Sequence, residues 1–218
     1  SIEETLAQLE SGFAGAAAGS NEGPVVLADV ADNAGGGAPS DATFLLRALI
    51  EGGYGAVAAG IFWDPVALRF CREAGEGAVL KLRLGGKCGA VSGDPLDLKI
   101  EVVRIKNDVV QHFGSIPSRV GSSARLRLIE GPSDFDIIVN DRRTQTFHPE
   151  VFTAHDIDIS EKRIVAVKSS QHFYAGFAPI ASRVIHVATP GAISPDFASI
   201  PYVKKKGPYW PRIADPFT

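Results

Sequence analysis

The stretch PVVLADVADNAGGGAPSDATFLLRALIEGG, Pro24 to Gly53, decides how the chain is read. Pro24 to Asp29 is an apolar run without alternation, the pattern of a strand buried on both faces. Asp29, Asp32 and Asn33 follow at its end, and Gly35-Gly36-Gly37 then lead through Pro39 towards Ala42 to Glu51. There Phe44, Leu45, Ala48 and Leu49 share one helical face, and Gly52-Gly53 ends the segment. A buried strand, a glycine loop and a helix in succession form the unit from which parallel sheets are built.

The same style continues outward from this unit. Val57 to Phe62 is a second buried strand, and Asp64 (N-cap) with Pro65 (first helical position) predicts a helix to about Ala74, with Gly75 just beyond. Upstream, Ile2, Leu6, Leu9 and Phe13 recur at helical spacing within Ile2 to Ala18, and Gly19 to Pro24 breaks the pattern. The middle differs. Ala78 to Leu84, Leu96 to Lys106, Val109 to Phe113 and Ala124 to Ile129 are β-rich, and Leu98, Ile100, Val102 and Ile105 contrast with Lys99, Glu101, Arg104 and Lys106. That alternation predicts antiparallel strands with one wet face. From Phe135 the first style returns. It has strands at Asp136 to Asn140, Arg163 to Val167 and Val184 to Val187, a short helix at Pro149 to Ala154, and a helix from about Gln171 to Ser182. Thr189 to Thr218 is Pro-rich but too apolar for a disordered tail, and is expected to pack over the domain surface or a partner. The predicted fold class is therefore α/β: a mainly parallel sheet with flanking helices, interrupted by a β-rich antiparallel insertion. One domain is expected over residues 1–218, with its core at 1–77 and 130–190, the insertion at 78–129 and the tail at 190–218.

Composition excludes several function classes. The 218 residues are 45% hydrophobic and 22% charged, the balance of a soluble globule with a sizeable core. With 22 basic and 25 acidic residues, the net charge of −3 creates no field that attracts nucleic acid or an anionic membrane. No apolar run approaches the roughly 18 residues of a membrane span. Phe13 to Ser20 lacks the basic region of a signal peptide. Cys71 and Cys88 form no CxxC pair, so two free thiols and a cytoplasmic location are expected.

Three segments fall at predicted carboxyl ends of strands, where parallel sheets gather functional groups. The first, Asp29 to Asp41, offers Asp32, Asn33 and the Gly35, Gly36, Gly37 loop, whose backbone N–H groups before a helix suit a phosphate, a carboxylate or a developing oxyanion. Its spacing matches neither GxGxxG nor Walker A, and a tight turn needing glycine explains it equally well. The second, Asn140 to His148, carries Arg143 and Gln145; Arg143 suits a carboxylate or a surface ion pair. In the third, Lys168 to Phe173, Ser169 or Ser170 is a helix N-cap candidate. His172 in the first turn is a candidate catalytic group or a packed histidine. A weaker fourth joins Gly85-Gly86-Lys87-Cys88-Gly89 to Ser92-Gly93-Asp94-Pro95, two turns in which Lys87 suits solvent better than a ligand. His112, His148, His155 and His186 show no HxH, HxxxH or HExxH spacing, so no self-contained zinc site is signalled, and there is no GxSxG elbow.

These blocks together resemble the carboxy-terminal domain of the MlrC-like (microcystinase C) metallopeptidase family. PVVLADVADNAGGGAPSDATFLLRALIEGG, LRLGGKCGAVSGDPLDL (Leu82 to Leu98), NDRRTQTFHPEVF (Asn140 to Phe152), VKSSQHFYAGFAPIA (Val167 to Ala181) and ISPDFASIPYVKKKGPYWP (Ile193 to Pro211) occur in the family's order. The resemblance implies a two-part protein that hydrolyses peptide bonds. An amino-terminal domain holds the zinc and this chain needs no cofactor of its own. The partners implied are that domain and a peptide substrate, with a homodimer through the tail as a further expectation. Asp32, Asn33, Gly35, Gly36, Gly37, Arg143, Gln145, Lys168 and Ser169 then become substrate-binding candidates facing the cleft, with His172 catalytic. The competing readings are a stand-alone anion-binding domain using the glycine loop, and a purely structural or dimerising domain.

Overall fold

The computed structural model describes residues 1–15 and 23–217. Its frame is one eight-stranded sheet of order β3-β4-β5-β6-β2-β7-β1-β8. The strands are β1 (Val25–Asp29), β2 (Val57–Trp63), β3 (Val79–Leu84), β4 (Leu96–Phe113), β5 (Ile116–Leu128), β6 (Phe135–Asn140), β7 (Ile164–Val167) and β8 (Arg183–Val187). The five strands β6-β2-β7-β1-β8 run parallel, and β3-β4-β5 join them through antiparallel pairing of β5 with β6. The β-rich middle of the chain thus extends the same sheet.

The unalternating apolar runs follow from cover on both faces. Along β1, Leu27 packs in one core cluster, beneath α1 (Ile2–Gly15), α2 (Phe44–Glu51) and α3 (Pro65–Ala74), through Leu9, Leu45, Leu46, Leu49 and Leu68. Val26 and Ala28 enter the opposite cluster with Phe152 of α4 (Glu150–Thr153) and Phe177 of α5 (Tyr174–Phe177). Each such leucine or phenylalanine contributes roughly 1.5–3 kcal/mol by leaving water. α3 has the ends its sequence predicts: the Asp64 carboxylate accepts from Ala67 N at 2.9 Å, Pro65 opens the helix and Gly75 closes it.

Three expectations change, and a fourth is described only in part. Leu96 to Phe113 is one strand, because Asn107-Asp108 makes a bulge in register with β5 where a break between two strands was predicted. The helix predicted over Gln171 to Ser182 shrinks to α5 and a 3-10 turn at Ala178–Ile180, since Pro179 lacks the N–H that an α-helix needs. The predicted helix Ile2 to Ala18 is described as far as Gly15, and its last residues, like the break at 19–22, lie outside the described residues. The tail packs only in part: Ile193 N donates to Ala31 O at 3.1 Å, whereas Val203, Trp210 and Phe217 are exposed.

Next to the β5–β6 junction, His155 is fully buried with Nε2 2.8 Å from Ser123 Oγ, and its Nδ1 has no partner among the described residues. Burial, then the charges of Lys106 and Arg125, push its pKa from the usual 6.5 down to about 4. The unfolded chain therefore binds a proton that the folded chain refuses between those values, so stability falls as pH falls through this window. Between pH 7 and pH 4.5, urea unfolding should register a loss of about 2–3 kcal/mol from this group. His155→Gln, which can still bond Ser123, should flatten the profile; a profile parallel to wild type would assign the acid loss elsewhere.

Candidate functional site

The loops that follow β1, β6 and β7 meet at the carboxyl edge of the parallel strands. Their floor is ionic. The Lys168 ammonium is buried and donates to Asp29 Oδ2 (3.1 Å), Asp32 Oδ2 (2.7 Å) and the Ala42 carbonyl (2.8 Å), with the Phe62 ring centroid 4.5 Å away. Three donors meet three acceptors, so the side chain has none left for a ligand. Asp32 also accepts from Ser40 N (2.8 Å) and Ala42 N (2.7 Å), and Asp29 from Thr189 Oγ1 (2.6 Å). Burial opposes the charge on Lys168, but Asp29 and Asp32 outweigh it and hold its pKa above the usual lysine value. Burial lifts Asp32 above the usual carboxylate range, with Lys168 opposing and Asp29 adding. Two carboxylates around one ammonium thus decide the direction for Lys168, whereas burial decides it for Asp32. Lys168 and Asp32, predicted to bind substrate, are thus occupied in tying the 30–43 loop to β1 and β7.

The glycine loop also differs from its prediction. Ala34–Gly36 is a 3-10 turn closed by Gly37 in the left-handed region, φ 98°. α2 begins only at Phe44, so no helix N-terminus stands behind the glycines. Their N–H groups are consumed locally: Gly35 N by Asn33 Oδ1 (2.9 Å), Gly36 N by Asn33 O (3.0 Å) and Gly37 N by Ala34 O (3.0 Å). The reading as a glycine loop that binds an anion at a helix N-terminus is corrected accordingly. What Gly35 supplies is closeness, because a Cβ there would overlap the Gln145 side-chain amide.

That contact opens the second layer of the site. Asn33 Nδ2 donates to Ser170 Oγ at 2.8 Å, Ser169 Oγ to Gln145 Oε1 at 3.1 Å, and Gln145 Nε2 lies 3.0 Å from His172 Nδ1. All three predicted strand-end segments therefore meet, in two hydrogen-bonded sets, Asn33 with Ser170 and Ser169 with Gln145 and His172, carried side by side by the adjacent Ser169 and Ser170. Ser169 and Ser170 serve these bonds, and neither caps α5, whose N-cap is Phe173 without a side-chain bond. His172 precedes the helix and is exposed. Thr146 fills an irregularity in β2, accepting from Ile61 N (3.1 Å) and donating to Gly60 O (3.0 Å), which fixes the loop carrying Gln145.

Residues 85–95 pack alongside. Asp41 accepts from Lys87 N (2.7 Å) and Cys88 N (3.0 Å), and Asp64 from Gly85 N (2.9 Å) and from the Lys87 ammonium. Partial burial of the sulfur, then Asp41, push the Cys88 thiol up to about 11 against the pull of Arg143, so it stays protonated and poorly nucleophilic at neutral pH. Arg143 is exposed with its guanidinium carbon 6.0 Å from the Trp63 ring centroid.

Sequence reasoning named Val109 to Phe113 as a strand but missed that this arm of β4, beyond the bulge, reaches the site. Gln111, fully buried, donates to Gln145 O (2.8 Å) and accepts from Phe147 N (2.7 Å) and His148 N (3.2 Å), while the Phe113 ring centroid is 4.7 Å from that of His172. The one local signal was a glutamine at an inward position of an alternating strand. Gly35→Ala should push the Gln145 amide off His172 at a stability cost of about 1–3 kcal/mol, since a buried amide loses its partners. Melting and His172 side-chain NMR on the variant check this: an unchanged His172 environment would contradict it.

Among the described residues no three His, Cys, Asp or Glu side chains converge on a position that could hold a metal ion, so the residues present do not fit a zinc centre. No helix among them is long and apolar enough to cross a membrane.

A mixed sheet with a polar cluster at the strand ends, built by three loops, defines an α/β domain whose polar edge is assembled from the segments singled out in the sequence. The family model described as MlrC C-terminus matches residues 27–204, and the chain belongs to that family. It is 36% identical over 188 residues, 86% of its length, to Microcystinase C of Sphingomonas sp., and spans 36% of the length of that relative. The crystal structure named "Putative metallopeptidase" from Mesorhizobium sp. BNC1 superposes with a TM-score of 0.79 at 24% identity, covering 97% of this chain and 40% of the other, and shares its fold.

Proposed function

We propose that this chain is the substrate-side domain of a zinc metallopeptidase, lining the cleft while another part of the same protein holds the metal. The observation that carries the reading is the convergence of two hydrogen-bonded sets at the strand ends, Asn33 with Ser170 and Ser169 with Gln145 and His172, with His172 exposed. The name of the solved structure is that of a metallopeptidase and the name of the curated relative that of a microcystinase, which supports the reading, and both are more than twice as long as this chain. His172 and Arg143 meet the substrate, with hydrogen-bond donors aimed where charge develops on a carbonyl oxygen. Asn33, the Gly35 to Gly37 turn, Gln145 and Ser169 shape and hold that surface, and Asp32 and Lys168 anchor it from below. The metal, when present in the whole protein, supplies a polarised carbonyl or an activated water. The partners are the metal-holding domain and a peptide, and the two free thiols, Cys71 and Cys88, suit a cytoplasmic setting.

Metal analysis and a peptidase assay test this on the chain alone and joined to the region that relatives carry. Zinc and peptide cleavage only in the joined form are expected. Stoichiometric zinc and cleavage by the chain alone would overturn the assignment.

A further inference from the structure

Resting on the reading of His172 as a substrate-facing group, we infer that Gln145 is a positioning residue that holds His172 as the neutral Nε2–H tautomer, making it a hydrogen-bond donor to the substrate. Gln145 is buried, 6% exposed, so it is poorly placed to meet a substrate itself. Its amide has two distinct ends. The Ser169 hydroxyl donates to Oε1 at 3.1 Å, which leaves Nε2 facing His172 Nδ1 at 3.0 Å. An amide nitrogen can only donate, so Nδ1 must offer its lone pair, and in a neutral imidazole the proton then resides on Nε2.

The surroundings fix the pair from several sides. The backbone carbonyl of Gln145 accepts from the buried Gln111 amide at 2.8 Å, and Thr146 is bound into β2. Gly35 packs against the Gln145 amide on another side. The His172 ring lies among Phe113 (centroids 4.7 Å apart) and Phe147 (6.0 Å), which set its plane. Nε2 of His172 has no partner among the described residues, and the side chain is exposed, so its N–H is free to reach a carbonyl oxygen. A donor held in one orientation before the reaction needs no reorganisation when negative charge develops. Nothing in this role asks His172 to bind metal or take a proton.

The test is side-chain 15N NMR of histidine-labelled chain, with His172 assigned by mutation. Wild type should show Nε2 protonated and Nδ1 unprotonated. Gln145→Glu keeps the shape but presents only acceptors, so it should reverse the pattern to Nδ1–H. Should Gln145→Glu fail to fold, Gln145→Leu removes the donor and should let the Nδ1–H form appear. A wild-type Nδ1–H form, or a Gln145→Glu pattern identical to wild type, would overturn the inference. In the joined protein, Gln145→Glu should lower kcat about 100-fold with KM little changed, the scale of losing one preorganised donor. A reversed tautomer with full turnover would uphold the Gln145–His172 pairing and remove His172 from the proposed peptidase site.

Discussion

Lys168→Met should destabilise the chain by about 3–5 kcal/mol. Methionine keeps most of the volume but leaves Asp29 and Asp32, both nearly inaccessible, without their shared cation. Their repulsion then acts in a poorly solvated space, and the Ala42 carbonyl loses its donor. For a chain of this size the loss corresponds to a fall in Tm of roughly 6–20 °C. The 30–43 loop, tied down by Asp32 through Ser40 N and Ala42 N, should loosen first, visible as faster amide exchange there. Adding Asp29→Asn should recover part of the stability by removing one uncompensated charge. A cost below about 1 kcal/mol for Lys168→Met would mean that the ion cluster does not hold the loop.

His172→Ala in the joined protein should reduce peptide turnover about 100-fold, the scale seen when a group positioned at a reacting centre is lost. The folded chain should barely notice, because the side chain is exposed and its removal costs under about 1 kcal/mol. Arg143→Ala should act in the same direction with a smaller loss. Its guanidinium is exposed beside Trp63, where it can meet a carboxylate without disturbing the core. Turnover and thermal melting measured together separate site from scaffold. Unchanged rates in both variants would remove them from the site. A large Tm loss in either would make the residue structural.

These two expectations divide residues that the sequence grouped together. Lys168 and His172 stand four positions apart in one segment, and both read as strand-end candidates. Only the packing of β1 beside β7 shows that Lys168 points inward between two aspartates, while His172 stays at the surface. The glycine loop carries the same lesson. Its composition is compatible with a helix N-terminal anion site, and the turn closes on itself seven residues before α2 begins.

What the sequence determined by itself is the periodic part of the structure. Unalternating runs such as Val25 to Asp29 and Val57 to Phe62 mark strands covered on both faces, and the alternation from Leu96 to Lys106 marks an antiparallel strand with one wet face. Asp64, Pro65 and Gly75 mark the ends of α3, because capping depends on neighbours in the chain. The order of its longer blocks also indicated the family. Tertiary structure alone decided which polar groups face each other. The Asn33–Ser170, Ser169–Gln145 and Gln145–His172 bonds span 137, 24 and 27 residues, and the arm that brings Gln111 and Phe113 to the site depends on a bulge within a long hairpin. Periodicity reports which face of an element is buried. Partners across such separations follow only from strand order and loop path, which no local pattern encodes.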